Sequence, residues 1–222
     1  MPTDDPSTGA DTSETGERGA ASTPTADAEA VLFDMDGVIV DSEDYWLDFE
    51  DETLFPETLS EPYPDNDEIT GMNFREIYDY LDTNYELTAS RQGFVDRYNE
   101  TAEEIYGEQV ALMPGFHDLL DALRDRGLKV GIVSSSPPDW IRVVIDRFDL
   151  GPFDVVASAD EIDGPGKPQP DVYEGAAATL GVPPERCVVI EDSENGTRSA
   201  ERAGMHVVGY RTETNAEATL SA

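Results

Sequence analysis

The stretch Val31–Ser42, which reads VLFDMDGVIVDS, decides how the rest of the chain is interpreted. An apolar run ends in two aspartates, Asp34 and Asp36, and Gly37 follows at once. Residues two apart in an extended segment point the same way, so we expect the two carboxylates to project together from the end of a buried strand. Unpaired buried carboxylates are costly, and Mg²⁺, which prefers oxygen ligands, would remove that cost. The stretch alone leaves a solvent-exposed turn open, because Asp-Gly is a common turn pair.

Apolar runs of this kind recur along the chain and alternate with helical patterns. Strands that alternate with helices form a parallel sheet with helices on both faces, so the pattern predicts an α/β fold. The predicted strands are Ala30–Phe33, Leu128–Val133, Val155–Ala157, Cys187–Ile190 and His206–Val208.

Cap residues predict the boundaries of two of the intervening helices. In SPPDWIRVVIDRF, Ser136 is the predicted N-cap and Pro137 the first helical residue. In DVYEGAAATLG, Asp171 and Glu174 have the spacing of a capping box, and the helix is predicted to end at Gly181.

The segment from Tyr45 to Leu112 carries helical patterns but no convincing strand. Its aromatic residues stand three or four apart, which is typical of core packing; they include Phe74, Tyr78, Phe94 and Tyr98. Because this block interrupts the α/β pattern directly after the first strand, it predicts an inserted helical subdomain that can act as a lid. The predicted units are a core at 29–44 and 113–210, a helical cap at 45–112, a disordered acidic tail at 1–28 and a shorter tail at 211–222.

A second acidic pair follows another apolar run, in CVVIEDS, where Glu191 and Asp192 end the predicted strand. Ligands of parallel sheets bind beyond the carboxyl ends of the strands. If this strand neighbours the first, three or four carboxylates meet at one edge of the sheet, which favours a metal site. For the pair alone, a helix N-cap is the alternative.

Two further segments fit a phosphate group. Ser134 and Ser135 lie between a predicted strand and a helix, where hydroxyls and free amides bind anions, although ordinary helix capping explains them as well. Lys167 stands in the rigid loop GPGKPQPD, and the only other lysine, Lys129, precedes a strand. A phosphate dianion in so acidic a protein needs local positive charge, and Mg²⁺ and Lys167 are the candidates.

Taken in order, DMDGV, VSSS, GKPQPD and VIEDSENG resemble the four motifs of the haloacid dehalogenase superfamily, in its phosphatase branch with a helical cap. LMPGF at Leu112–Phe116 also resembles the phrase with which that family returns to its core. The resemblance extends from Val31 to Tyr210. It implies a Rossmann-like core, Mg²⁺ dependence and aspartyl-phosphate chemistry.

The resemblance also implies roles for single residues. Asp34 would be the nucleophile, and Asp36 the general acid and then the base that activates water. Ser134 would bind the transferring phosphoryl group and Lys167 would stabilise its charge. Mg²⁺ would be held by the Asp34 side chain, the Asp36 carbonyl and Asp192, with Glu191 nearby or acting through water. Ser135 is a further candidate for substrate binding, and so is Arg75 in the cap, for which a solvated helix arginine is the alternative.

Two departures from related branches narrow the predicted activity. Dehalogenases of the superfamily lack the second motif aspartate, which is present here as Asp36. Mutases resembling β-phosphoglucomutase carry a histidine in the cap linker where this chain has Trp46, so a phosphatase is favoured. A phosphosugar mutase and a catalytically silent member that binds a phosphorylated ligand remain the alternatives. Phosphoglycolate and sugar phosphates are the candidate substrates.

The charge of the chain limits its partners and its environment. Against 49 acidic residues stand 14 basic ones, a formal net charge of −35, which argues against nucleic acid and anionic membranes as partners. A chain rich in Asp and Glu with two lysines resembles proteins of extreme halophiles, because molar salt screens the self-repulsion.

The single cysteine, Cys187, lies in an apolar run and is predicted to be a small core residue. With no apolar run of roughly 18 residues and no signal-peptide pattern, we expect a cytoplasmic protein. We also expect a monomer or a weak homodimer.

The charge predicts that the protein needs salt to fold. We expect it to lose secondary structure in dilute buffer and to regain a cooperative melt in molar KCl, because the Debye length falls to about 3 Å at 1 M. Circular dichroism melts at several KCl concentrations measure this, and an unchanged melt between dilute buffer and molar KCl would contradict the halophilic interpretation.

Overall fold

The computed structural model describes residues 27–65, 68–69, 72–212, 215–216 and 218–220. Most of the predicted tail at 1–28 lies outside the described residues. Five parallel strands form one sheet in the order β3-β2-β1-β4-β5. Their bounds are Ala30–Phe33 (β1), Lys129–Ser134 (β2), Val155–Ser158 (β3), Cys187–Glu191 (β4) and His206–Gly209 (β5).

The first strand is the centre of the sheet. All four of its residues are buried, and Phe33 pairs with Ile132 of β2 on one side and with Ile190 of β4 on the other. A strand buried on both faces reads as a continuous apolar run rather than an alternating one, which is what AVLF shows. The predicted Rossmann-like α/β fold is confirmed.

Helices cover both faces of the sheet. On one face, Phe33 packs in a cluster that includes Phe116 and Ile141; on the other, Leu32 packs with Tyr173 and Ala200. Cys187 is buried in this second cluster, as predicted. The helices of the core are α5 (Phe116–Asp125), α6 (Pro138–Phe148), α7 (Asp171–Leu180) and α8 (Glu194–Arg202), and two short 3₁₀ helices lie at Ala159–Glu161 and Pro184–Arg186.

The two predicted helix starts differ from the structure. Helix α6 begins at Pro138 with Pro137 as its N-cap, one residue later than predicted, because the Ser136 hydroxyl donates to Asp36 instead of capping the helix. Helix α7 begins at Asp171 without a side-chain cap, so the capping box does not form there. Its end is as predicted, with Gly181 in the left-handed conformation that glycine adopts freely.

A helical segment, which we call the insert, occupies residues 43–109 between β1 and β2. Among its described residues there is no strand, and Phe74, Phe94 and Tyr98 are buried while Tyr78 is half-buried, so the aromatic spacing reflects core packing. It comprises α1 (Glu43–Phe49), a π-helical turn (Glu50–Leu54), α2 (Phe55–Thr58), α3 (Phe74–Asn84), α4 (Arg91–Glu104) and a second π-helical turn (Ile105–Gln109). In the described part of the chain, no helix is both long and apolar enough to cross a membrane.

The chain leaves the core and returns to it side by side. Val40 bridges Leu112, and the Met113 N–H donates to the Ile39 carbonyl over 2.9 Å. The Asp41 N–H donates to the Ala111 carbonyl over 3.2 Å. The two linkers of the insert are therefore hydrogen-bonded to each other.

The N-terminus of α3 contacts the loops at the carboxyl edge of the sheet. Asn73 caps the helix, and its side-chain amide donates to the Ser135 carbonyl over 2.7 Å. Glu76 accepts from the Gly166 N–H over 3.0 Å. The insert thus lies over the edge where β1, β2 and β4 end.

Close packing in the sheet predicts opposite effects for two glycine substitutions. Gly131 in β2 is buried, and an added Cβ would lie 2.4 Å from Val155 and 2.8 Å from Leu32, so Gly131→Ala should lower the free energy of unfolding by about 1–3 kcal/mol. Gly175 in α7 is exposed with nothing near its Cβ position, so Gly175→Ala should raise it by up to about 1 kcal/mol. Urea titrations in molar KCl measure both changes, and a stabilised Gly131→Ala protein would contradict this packing.

Candidate active site

Three carboxylates meet where β1 and β4 end. Asp34 is the first residue after β1, and its N–H donates to the Ile190 carbonyl over 3.0 Å, which places it beside the end of β4. Glu191 is the last residue of β4, and Asp192 follows it. All three are buried, and each offers an oxygen within 4.8 Å of the other two.

Lys167 lies buried among these carboxylates. Its Nζ donates to Asp34 Oδ1 over 2.8 Å, to Glu191 Oε1 over 2.6 Å and to the Val133 carbonyl over 3.1 Å. The same nitrogen lies 5.2 Å from the ring centroid of Tyr173, whose hydroxyl also donates to Glu191. Three carboxylates against one ammonium leave an excess of negative charge that a divalent cation would balance.

Burial and mutual repulsion shift the acid–base properties of this cluster. Burial raises the pKa of Asp34 to about 8; Lys167 opposes the rise, while Glu191 and Asp36 add to it. Burial, with repulsion from Glu191 and Asp34, raises the pKa of Asp192 to about 10. Burial alone would lower the pKa of Lys167, but the Asp34 and Glu191 carboxylates outweigh it and hold that pKa well above its usual value. The lysine is therefore a fixed positive charge.

The two oxygens of Glu191 are occupied by the protein. Oε1 accepts from Lys167 and Tyr173, and Oε2 accepts from the backbone N–H groups of Asp192 and Ser193 and from the Ser193 hydroxyl. An added Cβ on Gly196 would lie 1.7 Å from Glu191 Oε1, so the helix start at α8 needs glycine there. Glu191 thus holds the lysine and the loop in place.

Asp192 has an oxygen without such a partner. The residue is 2% exposed, and Oδ2 is buried with no hydrogen-bond partner. Gly37, in the left-handed region at φ 72°, lies so close that an added Cβ would sit 1.9 Å from this oxygen. A buried, unsatisfied carboxylate oxygen in an oxygen-only, negatively charged cluster fits Mg²⁺. The carboxylates that could hold the ion are those of Asp34, Glu191 and Asp192, and the Asp36 carbonyl stays a predicted ligand.

The side chains of Asp34 and Asp36 have different partners. Asp36 Oδ1 accepts from the Ser42 hydroxyl over 2.5 Å and from the Tyr106 hydroxyl over 2.6 Å, and Oδ2 accepts from the Ser136 hydroxyl over 2.9 Å. Strand β1 ends at Phe33, so both aspartates lie in the loop after it. The rule that side chains two apart in a strand point the same way therefore does not determine where their side chains point.

The serines after β2 line the same edge. Ser134 is the last residue of β2 and is buried, and its hydroxyl accepts from the Ser136 N–H over 3.0 Å. The Ser135 carbonyl accepts from Asn73 of the insert. The structure therefore brings both serines next to the loops of Asp36 and of α3.

Arg75 has a partner that the sequence does not reveal. Its Nε donates to Asp160 over 2.7 Å, and its guanidinium lies 4.8 Å from the Phe74 ring centroid, with 46% of the side chain exposed. This ion pair joins α3 to the 3₁₀ helix Ala159–Glu161, which follows β3. A contact between Arg75 and a substrate stays a prediction.

Several residues around the site carry no signal in the sequence. Tyr106 and Tyr173 read as core aromatics, Ser42 as a polar residue before a helix, and Glu43, whose carboxyl shares a hydrogen bond with Asp192, as one of many acidic residues. Burial raises the pKa of Glu43, and its bond to Asp192 opposes the rise. Only the folded chain brings these side chains to Asp36, Glu191 and Asp192.

Comparisons with known proteins agree with this geometry. The family model of haloacid dehalogenase-like hydrolases matches residues 31–210. A phosphorylated carbohydrates phosphatase of Thermotoga maritima is 32% identical over 180 residues, which cover 80% of this chain and 82% of that protein.

Solved structures of related proteins have the same fold as this chain. CbbY of Rhodobacter sphaeroides in complex with phosphate superposes with a TM-score of 0.67 at 27% identity, covering 86% of this chain and 92% of that one. A putative β-phosphoglucomutase of Thermotoga maritima gives a TM-score of 0.60 at 32% identity, covering 82% and 84%. Sequence and fold agree over most of the chain, which therefore belongs to the haloacid dehalogenase-like hydrolases.

Proposed function

We propose that this chain is a Mg²⁺-dependent phosphatase that hydrolyses a small phosphorylated metabolite through an aspartyl-phosphate on Asp34. The observation that carries the proposal is the buried bridge from Lys167 to Asp34 and Glu191, beside the unpartnered oxygen of Asp192. A nucleophilic carboxylate, a fixed cation and oxygen ligands for an ion then lie at one edge of the sheet. The relative that is named a phosphorylated carbohydrates phosphatase supports a sugar phosphate as substrate, ahead of phosphoglycolate.

The reaction follows from the positions of the side chains. Lys167 binds Asp34 Oδ1, so we assign the attack on phosphorus to Oδ2. As that bond forms, the ester P–O bond breaks and Asp36 gives its proton to the leaving alkoxide. Asp36 then takes a proton from water as the water oxygen attacks the phosphorus, which releases inorganic phosphate and restores Asp34. Mg²⁺ would neutralise phosphoryl oxygens next to Lys167.

The insert is proposed as the cap, with the boundaries 45–112 expected from the sequence. Its helix α3 reaches the edge of the sheet through Asn73 at Ser135 and Glu76 at Gly166. A closed cap excludes bulk water and presents its own side chains to the leaving group. Ser134 and Ser135 would bind the phosphoryl group, and Arg75 is the candidate that contacts the rest of the substrate.

One contact favours hydrolysis over phosphosugar transfer. At the position where mutases resembling β-phosphoglucomutase carry a histidine, Trp46 donates its indole N–H to Tyr106. An indole has no basic nitrogen and cannot exchange protons as imidazole does. A catalytically silent member is disfavoured because Lys167, Asp34 and Glu191 form the complete ion bridge.

We also propose a high-salt cytoplasm as the setting. Of the two lysines, Lys167 is buried, and Lys129 is exposed and donates to the Leu180 carbonyl. Lys129 is therefore the single lysine at the surface, and a surface so rich in acidic residues suits a medium in which salt screens their repulsion.

Substitution of the two aspartates tests the chemistry. In molar KCl with Mg²⁺, the wild-type protein should release phosphate, without forming an isomer, from p-nitrophenyl phosphate and from sugar phosphates. Asp34→Asn should abolish turnover because the nucleophile is lost, and Asp36→Asn should slow it by about 10²–10⁴-fold. A phosphate-release assay over a panel of phosphorylated metabolites measures both and identifies the substrate.

Asp139→Asn is the matched control, because this carboxylate is 90% exposed on α6 and should not affect turnover. Full activity of the Asp34→Asn protein would falsify the covalent mechanism, and isomer formation would favour the mutase.

Stability should depend jointly on pH and on Mg²⁺. In the ion-free folded protein the pKa values of Asp34 and Asp192 are raised from 3.8 to about 8 and about 10. The folded state therefore holds more protons than the unfolded one above about pH 4, and its stability falls as pH rises toward 8. Mg²⁺ would compete with those protons, so its dissociation constant should be lower at pH 8 than at pH 5. At one fixed Mg²⁺ concentration its stabilisation, about 2.7 kcal/mol where that concentration is a hundredfold the dissociation constant, should therefore be larger at pH 8. Thermal melts with and without Mg²⁺ measure this.

Asp192→Asn is the control for this effect, since it keeps the shape and replaces a carboxyl whose burial favours a bound proton with an amide that does not titrate. The ion-free variant should be at least as stable as wild type at pH 8 and should lose most of the Mg²⁺ increment. An equal increment at both pH values, or one that survives in the variant, would rule out Asp192 as the ion's ligand.

A further inference from the structure

We propose that Tyr106 is a positioning residue that holds the Asp36 carboxyl in place and is itself oriented by Trp46. The inference rests on the proposed function, in which Asp36 exchanges a proton with the leaving group. Asp36 Oδ1 is anchored by two hydroxyls, those of Tyr106 and Ser42, whereas Oδ2 accepts from Ser136 alone among the described hydrogen bonds. Oδ2 is therefore the oxygen that exchanges the proton.

The chemistry of Trp46, Tyr106 and Asp36 sets the direction of their hydrogen bonds, and the Ser136 hydroxyl, at 3.5 Å from the Tyr106 oxygen, is a more distant partner. The Trp46 indole N–H can only donate, and it does so to the Tyr106 oxygen over 3.0 Å. The phenol hydrogen is then directed at Asp36 Oδ1, which lies 2.6 Å away. A donor that already accepts a hydrogen bond is a stronger donor, so Trp46 reinforces the hold on Asp36.

The phenol is held rigidly on the side of the core. Tyr106 is 1% exposed and belongs to the π-helical turn Ile105–Gln109, a kind of irregularity that often occurs at functional sites. Arg147 of α6 donates to the carbonyls of Tyr106 and Glu108 over 2.8 and 3.0 Å. The last turn of the insert is thereby tied to a core helix, and the Tyr106 hydroxyl reaches Asp36 from a fixed point.

This arrangement matters for one step in particular. When Asp34 attacks phosphorus and the ester bond breaks, the electron pair of that bond goes to the leaving oxygen. An alkoxide needs the proton of Asp36 at that moment, whereas p-nitrophenolate is stable as an anion and does not. A misplaced Asp36 should therefore slow the release of an alcohol far more than the release of p-nitrophenolate.

Tyr106→Phe tests the inference, because it removes only the hydroxyl. In single-turnover experiments with Mg²⁺ in molar KCl, we expect the formation of the phosphoenzyme from β-glycerophosphate to slow by about tenfold, the loss of one charge-assisted hydrogen bond. The same step with p-nitrophenyl phosphate, measured as the p-nitrophenolate burst, should stay within about twofold, with KM unchanged for both substrates.

Tyr98→Phe is the matched control, since Tyr98 is a buried phenol of the same aromatic cluster whose hydroxyl donates to Glu50. It should leave the ratio of the two rates unchanged. If Tyr106→Phe slows both substrates equally, its role is structural and the inference fails while the phosphatase stands. If wild type releases phosphate from neither substrate, the proposed function fails and the inference with it.

A second readout does not depend on activity. The chain has two tryptophans, so a protein labelled with ¹⁵N-tryptophan gives two indole N–H resonances. In Tyr106→Phe the Trp46 signal should move upfield because its acceptor is gone, while the Trp140 signal, bonded to Asn99, should stay in place. An unmoved Trp46 signal would overturn the hydrogen-bond chain.

Discussion

The buried ammonium of Lys167 is the interaction on which the arrangement of the site depends. It joins the end of β1 through Asp34, the end of β4 through Glu191 and the end of β2 through the Val133 carbonyl. A buried charge is tolerated only when its partners are in place, and removing one partner of such a pair typically costs about 3–5 kcal/mol. The three strand ends and the loop of Lys167 are therefore fixed relative to one another before any ligand binds.

The parallel sheet explains why so much charge collects at one edge. With β1 at the centre and β2 and β4 beside it, the carboxyl ends of three strands and their loops converge within one region. Apolar packing on both faces of the sheet offsets the cost of burying these charges, since the clusters around Phe33 and Leu32 stabilise the strands that position the charged residues. The polar edge and the apolar faces are consequences of the same topology.

The fold and the meeting of acidic residues at one edge of the sheet could be predicted from local signals, whereas the bridge from Lys167 to Asp34 and Glu191 was seen only in the structure. Alternating elements indicated the parallel sheet, and the motifs that contain Asp34, Lys167 and Asp192 indicated residues that the structure brings together. The surroundings of Asp36 were not predictable in this way. Tyr106 is separated from Asp36 by 70 residues, and its contact depends on how the π-helical turn packs against α6.

The helix starts also show that contacts between residues distant in sequence are not predictable from local patterns. Ser136 has the sequence pattern of an N-cap, but its hydroxyl binds Asp36, which is 100 residues away. Capping rules consider only residues that are close in sequence, whereas a buried carboxylate can accept a hydrogen bond from any hydroxyl that the fold places beside it. Arg75 is similar, since Asp160 becomes its partner only when α3 lies over the edge of the sheet.

The paired linkers of the insert have a consequence for how such proteins diversify. Because Val40 bridges Leu112 and the Asp41 N–H donates to the Ala111 carbonyl, the chain leaves the core and returns to it at adjacent points. A longer or shorter insert therefore changes the entropic cost of closing the chain between these linkers only slightly, since that cost grows with the logarithm of the loop length. The sheet can therefore keep its fold when the length of the insert changes, whereas an exchange of the whole insert would also remove the Tyr106 hydroxyl that binds Asp36.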